Sequence, residues 1–266
     1  MTSIFYVNDI HGRTSNMERI TSASKDFDTY TPQNVDKLKF SSGDTMLGKN
    51  EKVNIAAHKF LTANNIMASA IGNHELDSNS KKLTDIIKGS AVKFLGFNSQ
   101  WDEKSSGLEK EVVKSYIQES NGNKYGVIGL MPFDLNRVIK KMPDGLDLQA
   151  KEPAFEALQK EVNKLQEQGI NKIILVSHTG FETEREIAQK IEGIDVILGG
   201  HSHDLIKDVK EGVNLFYSKK TGDPTVITQG GRDGSHFGIL NLEFDKDGVI
   251  TRVQNNVGDT SDFPKN

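Results

Sequence analysis

Residues 172–203 read KIILVSHTGFETEREIAQKIEGIDVILGGHSH. Two short apolar runs, Lys172 to Ser177 and Ile194 to Leu198, flank a segment of helical length from Glu182 to Ile191, and each run ends in a loop that carries histidine. Runs of this length and composition, closed by Gly or a polar residue, suit strands buried on both faces. The stretch therefore predicts a strand, a helix and a second strand of an α/β sheet, with histidines delivered at the ends of the strands.

The same alternation extends towards the N-terminus. Ile4 to Val7, Lys37 to Phe40, Ile66 to Ile71, Val92 to Phe97 and Tyr125 to Leu130 are apolar runs, most of them followed by Gly, Asn or Asp, and read as buried strands. Glu51 to Thr62 places Val53, Ala56, Ala57 and Phe60 on one helical face. A second helix, capped by Ser80, repeats the pattern with Leu83, Ile86 and Ile87, and a longer one from Glu152 to Gln168 carries Phe155, Leu158, Val162 and Leu165, with Gly169 as its C-cap. Beyond Val213 the runs shorten: Val213 to Ser218, Thr225 to Gln229, Gly238 to Phe244 and Val249 to Val253. The turn Asp245-Lys246-Asp247-Gly248 joins the last two, which predicts mixed and antiparallel pairing late in the chain. One α/β domain over residues 1–257 is expected, followed by a polar tail, 258–266, that frays.

Composition narrows the function classes. With 266 residues the chain can bury one large core. A net charge of -4 provides no basic field for a polymeric nucleic acid. No apolar run approaches the roughly 20 residues that span a bilayer, so no membrane association is expected. Met1 to Val7 lacks the basic region and cleavage site of a leader, which places the protein in the cytoplasm on this reading. With no cysteine, disulfides, thiolate nucleophiles and Cys-type zinc sites are excluded, and any metal falls to His, Asp and Asn.

Five of the seven histidines lie in five loops that follow apolar runs: Asp9-Ile10-His11-Gly12, Gly43-Asp44, Gly72-Asn73-His74-Glu75, Ser177-His178 and Gly199-Gly200-His201-Ser202-His203. Loops at the carboxyl ends of strands in open α/β sheets converge on one crevice, so these groups can meet. Imidazole with carboxylate suits transition metals and zinc. Two cations about 3.5–4 Å apart need a shared ligand, for which Asp44 is the candidate, and a hydroxide between them would attack a phosphate ester without a covalent enzyme intermediate. Glu75 is read as a support that accepts backbone hydrogen bonds, and His58 and His236 as structural. Arg13, Arg137, Arg185 and Arg232 are candidates for contact with phosphate. Phe133, Trp101 and Phe181 are read first as packing residues.

In order and local context these motifs resemble those of the calcineurin-like metallophosphoesterases, most closely the metal-binding domain of 5′-nucleotidases, from residue 3 to about residue 253. The resemblance implies a four-layer α-β-β-α sandwich of two mixed sheets, with a dinuclear metal site at the carboxyl ends of strands. It implies that Asp9, His11, Asp44 and His203 hold one divalent ion, and Asp44, Asn73, His178 and His201 the other; Mn, Zn, Fe, Co and Mg all remain open. His74 would stay unligated and pair with Asp77, so that it stabilises developing charge or protonates the leaving oxygen, with Asn73 beside it. The expected substrate is a small phosphorylated compound, with a nucleotide monoester first. A cyclic-nucleotide diester, or nucleotide binding without turnover, is the alternative. The 5′-nucleotidases usually add a C-terminal domain that contacts phosphate and base. On this reading the chain stops before it, and a second protomer or partner chain is a possible source of those contacts.

Overall fold

The protein is described by a computed structural model, covering residues 1–265. Period-two alternation along the strands decides its layering. In β1 (Thr2–Val7), Phe5 and Val7 enter one apolar core while Ile4 and Tyr6 enter another. In β10 (Ile173–Ser177), Ile174 and Val176 share that second core, whereas Ile173 and Leu175 face a third. A strand apolar on both faces has to be covered on both, and three stacked cores require four layers.

The first sheet runs in the order β15 (Ile250–Asp259), β14 (His236–Phe244), β1, β2 (Asp36–Ser41), β3 (Ala68–Ala70), β4 (Lys93–Leu95) and β6 (Val112–Val113). The second runs β12 (Leu215–Tyr217), β13 (Pro224–Thr228), β11 (Val196–Leu198), β10, β8 (Asn123–Leu130) and β7 (Ser115–Ser120). The outer face of the first sheet is covered by α1 (Thr14–Tyr30), α2 (Glu51–Ala63), α3 (Ser80–Ile87) and the short α4 (Leu108–Glu111). The outer face of the second is covered by α6 (Lys151–Glu167) and α7 (Phe181–Lys190). A ribbon of β5 (Ser99–Trp101) and β9 (Leu146–Leu148) and a one-turn helix, α5 (Leu135–Val138), lie outside these layers. This is the expected α-β-β-α sandwich. Both sheets are mixed, because β14 pairs antiparallel to β1, and β7 and β12 pair antiparallel to their neighbours.

What matters for the site is that β1, β2 and β3 are parallel, as are β8, β10 and β11. Their following loops therefore leave from the same edge of each sheet. Ser42, just after β2, gives its hydroxyl to the Leu198 carbonyl at the end of β11, 2.8 Å away, and so ties the two edges together.

Three local expectations need correction. Helix α1 was not anticipated: its buried Met17, Ile20, Ala23, Ser24 and Phe27 have helical spacing, but two are small or polar and Arg13 provides no side-chain cap. Asn79, rather than Ser80, caps α3, accepting from the Lys82 amide; the Ser80 hydroxyl reaches the Asp144 carbonyl instead. Of the expected polar tail, residues 258–265 do not fray, and residue 266 lies outside the described residues. Strand β15 continues to Asp259, Phe263 packs edge-on against Phe237, and Arg19 donates to the carbonyls of Thr260, Ser261 and Phe263. No described helix is long and apolar enough to cross a membrane.

Candidate metal centre and active site

Two buried carboxylates lie at the middle of the converging loops. Asp9, after β1, accepts from the Asn8 side chain at 2.7 Å through Oδ2 and from the His201 amide, which is shared between Oδ2 at 3.0 Å and Oδ1 at 3.3 Å; Oδ1 also faces the histidines. Asp44, after β2, accepts the His74 amide at 2.8 Å through Oδ1, which leaves Oδ2 facing inwards. The inward oxygens meet three imidazole nitrogens. His203 Nε2 is 3.3 Å from Asp9 Oδ1, and His178 Nε2 is 3.2 Å from Asp44 Oδ2. His11 Nε2 lies between the carboxylates, 3.7 Å from Asp9 and 3.6 Å from Asp44. On the far side, His201 Nδ1 is 3.1 Å from Asn73 Oδ1.

Among the described residues three overlapping donor sets result: Asp9, His11 and His203; Asp9, Asp44 and His178; and His11, Asp44 and His74. They fit cations. Two ligands each about 2.1 Å from one ion, at angles from right to tetrahedral, sit roughly 3.0–3.4 Å apart, close to the shorter separations here. The Nε2 atoms of His11 and His178 are buried without any hydrogen-bond partner, although buried polar atoms are normally satisfied. Asp44 lies in two of the three sets, as a shared ligand requires, but so does Asp9.

Electrostatics agree with the geometry. Burial alone would discourage charge on His178, yet Asp44 and Asp9 outweigh it and pull its pKa up to about 10. His11 shifts the same way, burial being overcome by Asp44 and Asp233. Burial would push Asp44 up, but the imidazoles of His178 and His11 beside it hold it well below the usual carboxylate range. The cluster thus demands positive charge at its centre, which protons or a divalent ion can supply in competition.

The outer nitrogens are also engaged. His178 Nδ1 donates to the Ser42 carbonyl at 2.5 Å, and His11 Nδ1 lies 3.1 Å from Asp233 Oδ1. His74 Nδ1 is 2.5 Å from Asp77 Oδ2, the pairing that the resemblance implies. Such partners fix ring orientation and tautomer. The loops are held at a conformational cost. Among the described residues, Asp9, His11, Asp44, His201, His203 and Asp233 all have positive φ without being glycine, a state costing on the order of 1–3 kcal/mol each. At Gly72 and Gly200 the backbone passes so close that a Cβ would strike Asp44 Oδ1 or crowd His178 Nδ1.

The sequence model of the calcineurin-like phosphoesterase family matches residues 2–205. The chain belongs to that family. A probable 5′-nucleotidase of Treponema pallidum is 36% identical over 68% of this chain and 31% of its own length. The 5′-nucleotidase of Diplobatis ommata is 33% identical over 75% and 36%. Among solved structures, a 5′-nucleotidase precursor from Thermus thermophilus superposes with a TM-score of 0.87 at 21% identity, over 99% of this chain and 56% of that one. The phosphoesterase YfkN of Bacillus subtilis gives 0.76 at 20%, over 99% and 92%. This phosphoesterase chain therefore spans about a third of the length of those two curated relatives.

The eight residues singled out in the sequence, Asp9, His11, Asp44, Asn73, His74, His178, His201 and His203, lie together in one cluster of loops, with Asp77 behind His74. Glu75 supports it as expected: its buried carboxylate accepts the amides of Asp44, Gly72, Thr45 and Met46. His58 and His236 lie elsewhere, bonded to Ser90 and Ser235. Arg13 and Arg232 stand at the rim, each with Nε on Asp233, at 3.5 and 3.0 Å. Arg185 packs over Phe181 and Phe216, and Phe133 packs on Phe155.

Three residues of the centre were missed. Asp233 carries His11. Glu184, fully buried, accepts from Gln229 Nε2 at 2.8 Å and the Gly200 amide at 3.2 Å, and so braces the loop that bears His201 and His203; burial pushes its pKa up to about 8. Asp134 faces His201. No signal local to these residues points to the site, because their partners lie far away in sequence.

Proposed function

We propose that this chain is a metal-dependent hydrolase of phosphate esters, acting on a small phosphorylated substrate, with nucleotide monoesters as the leading class. The observation that carries the reading is the pair of buried, unpartnered Nε2 atoms of His11 and His178, turned towards two buried carboxylates. Asp9, His11, Asp44 and His203 would hold one divalent ion, and Asp44, Asn73, His178 and His201 the other. Manganese, zinc, iron, cobalt and magnesium are all compatible with such a donor set. When bound, two such ions acidify a water and polarise phosphoryl oxygens.

The chain's own residues account for the rest. Asp44 presents one oxygen between His11 and His178 while the His74 amide fixes the other. His74 is about one-third exposed beside this cluster, and Asp77 holds its Nδ1–H. Asp77 thereby fixes the orientation of the ring, and His74 is placed to give a proton or a hydrogen bond to the departing oxygen. Asn73 and His74 are adjacent, so a proposed ligand of one ion and the group that moves the proton share one loop. The nucleotide part of the proposal is supported by relatives named 5′-nucleotidase and, in Haemophilus influenzae, NAD 5′-nucleotidase.

The test is turnover by chelated protein reloaded with manganese or zinc, on nitrophenyl phosphate, bis-nitrophenyl phosphate and a panel of nucleoside monophosphates and cyclic nucleotides. Preferred release from monoesters is expected. Turnover confined to diesters would make it a phosphodiesterase, and tight nucleotide binding without release would make it a binding module.

A further inference from the structure

His201 faces the centre with the opposite nitrogen from its neighbours. His11 and His178 turn Nε2 inwards and engage Nδ1 with Asp233 and Ser42. His201 instead turns Nδ1 towards Asn73, while its Nε2 lies 3.1 and 3.4 Å from the two carboxylate oxygens of Asp134. We propose that Asp134 is a positioning residue of the metal centre: by accepting the Nε2 proton it holds His201 in the tautomer whose Nδ1 lone pair is free for the ion shared with Asn73. This rests on the metal-centre reading above.

The placement of Asp134 is specific. It occupies the N-cap position of α5, where aspartate commonly caps the first turn, yet its side chain makes no capping hydrogen bond there. The carboxylate spans from the loop after β8 to the loop after β11 instead. That loop is anchored on both sides of Asp134. Met131 and Leu135 are fully buried, and Asn98 clamps Met131 in both directions, its Oδ1 accepting the Met131 amide at 2.8 Å and its Nδ2 donating to the Met131 carbonyl at 3.0 Å. The core thus fixes the backbone on either side of Asp134, and its carboxylate, 43% exposed, reaches from there to His201. As a mere surface ion pair, the contact would stabilise the fold by at most about 1 kcal/mol and leave metal binding unchanged. As an orienting partner it acts on the affinity of one ion.

Wild type, Asp134→Ala and Asp134→Asn, all stripped with chelator, would be titrated with manganese and with zinc by calorimetry, alongside thermal unfolding of the metal-free forms. The expected result is that Asp134→Ala weakens one of the two sites by about 10–100-fold and spares the other. Asp134→Asn, whose Oδ1 still accepts from Nε2–H, should retain most of the affinity, and the metal-free melting temperatures should coincide. Nitrogen NMR of the zinc-loaded wild type should find the His201 proton on Nε2. A proton on Nδ1, equal loss in both variants, or two unaltered sites in Asp134→Ala would each overturn the proposal. A wild type that binds no pair of ions would instead remove the metal-centre reading beneath it.

Discussion

Asp233 accepts from His11 Nδ1 at 3.1 Å and gives its own backbone amide to the carbonyl of Asp9, 2.6 Å away. One residue thereby fixes the orientation of one proposed ligand and the backbone of another. Burial works against its charge, but His11 and Arg232 hold its pKa below the usual carboxylate range. Asp233→Ala should lower metal affinity at the His11 site by about 10–100-fold, as loss of an outer partner does. Calorimetric titration checks this, and Asp233→Asn, which can still accept, should lose less.

His74 makes a different prediction, because its role is proton movement rather than metal holding. His74→Ala should lower kcat by about 10²–10⁴-fold while the bound metal and KM change little. Asp77→Asn should lower kcat by less, since the ring remains. Steady-state kinetics with metal content measured on the same samples decides it; a full-activity His74→Ala would remove the role.

Much of this centre is written locally. A ligand such as Asp9 or His178 announces itself by following an apolar strand and standing beside glycine, and both properties lie within a few residues. Asp233, Glu184 and Asp134 do not announce themselves. Asp233 is separated from His11 by 222 positions and Asp134 from His201 by 67, so their roles exist only after the sheets have brought the loops together. Helix α1 was hidden for another reason. Its buried face mixes Met17, Ile20 and Phe27 with Ala23 and Ser24, which blurs the apolar stripe that periodicity detects. The tail misled by composition: Thr260 is buried by bonding its hydroxyl to the carbonyls of Gly234 and Ser235, contacts that polarity alone cannot foretell.

Glu75 is the main polar brace of the Asp44 loop, receiving four backbone amides on a buried carboxylate. In Glu75→Gln one oxygen becomes an amide nitrogen that cannot accept. Each buried amide left without a partner costs about 1–3 kcal/mol, so the variant should melt several degrees lower and bind metal more weakly. Scanning calorimetry of the metal-free and loaded forms checks both effects.

Asp195 gives a pH dependence far from the metal centre. It is buried, accepts from the Ile173 amide at 2.6 Å, and burial, aided by Asp223, pushes its pKa up to about 8. Unfolded, such a carboxyl titrates near 3.9. The folded state therefore binds the extra proton between these values, so this contribution is complete below about pH 4 and is lost as pH rises towards 8. Asp195→Asn keeps the acceptor and removes the titration. Its melting temperature should fall less than wild type between pH 5 and pH 8, and at pH 8 it should melt a few degrees higher, at roughly 2–4 °C per kcal/mol.

The central claim is that the converged loops bind two ions and use them to cleave a phosphate ester. It is tested most directly by stripping the protein, reloading it with manganese or zinc, and measuring ions per chain and phosphate released from nucleoside monophosphates on the same sample. Two ions per chain, with phosphate release that vanishes in Asp44→Asn, is the predicted result. Two bound ions without release from any monoester or diester would contradict it.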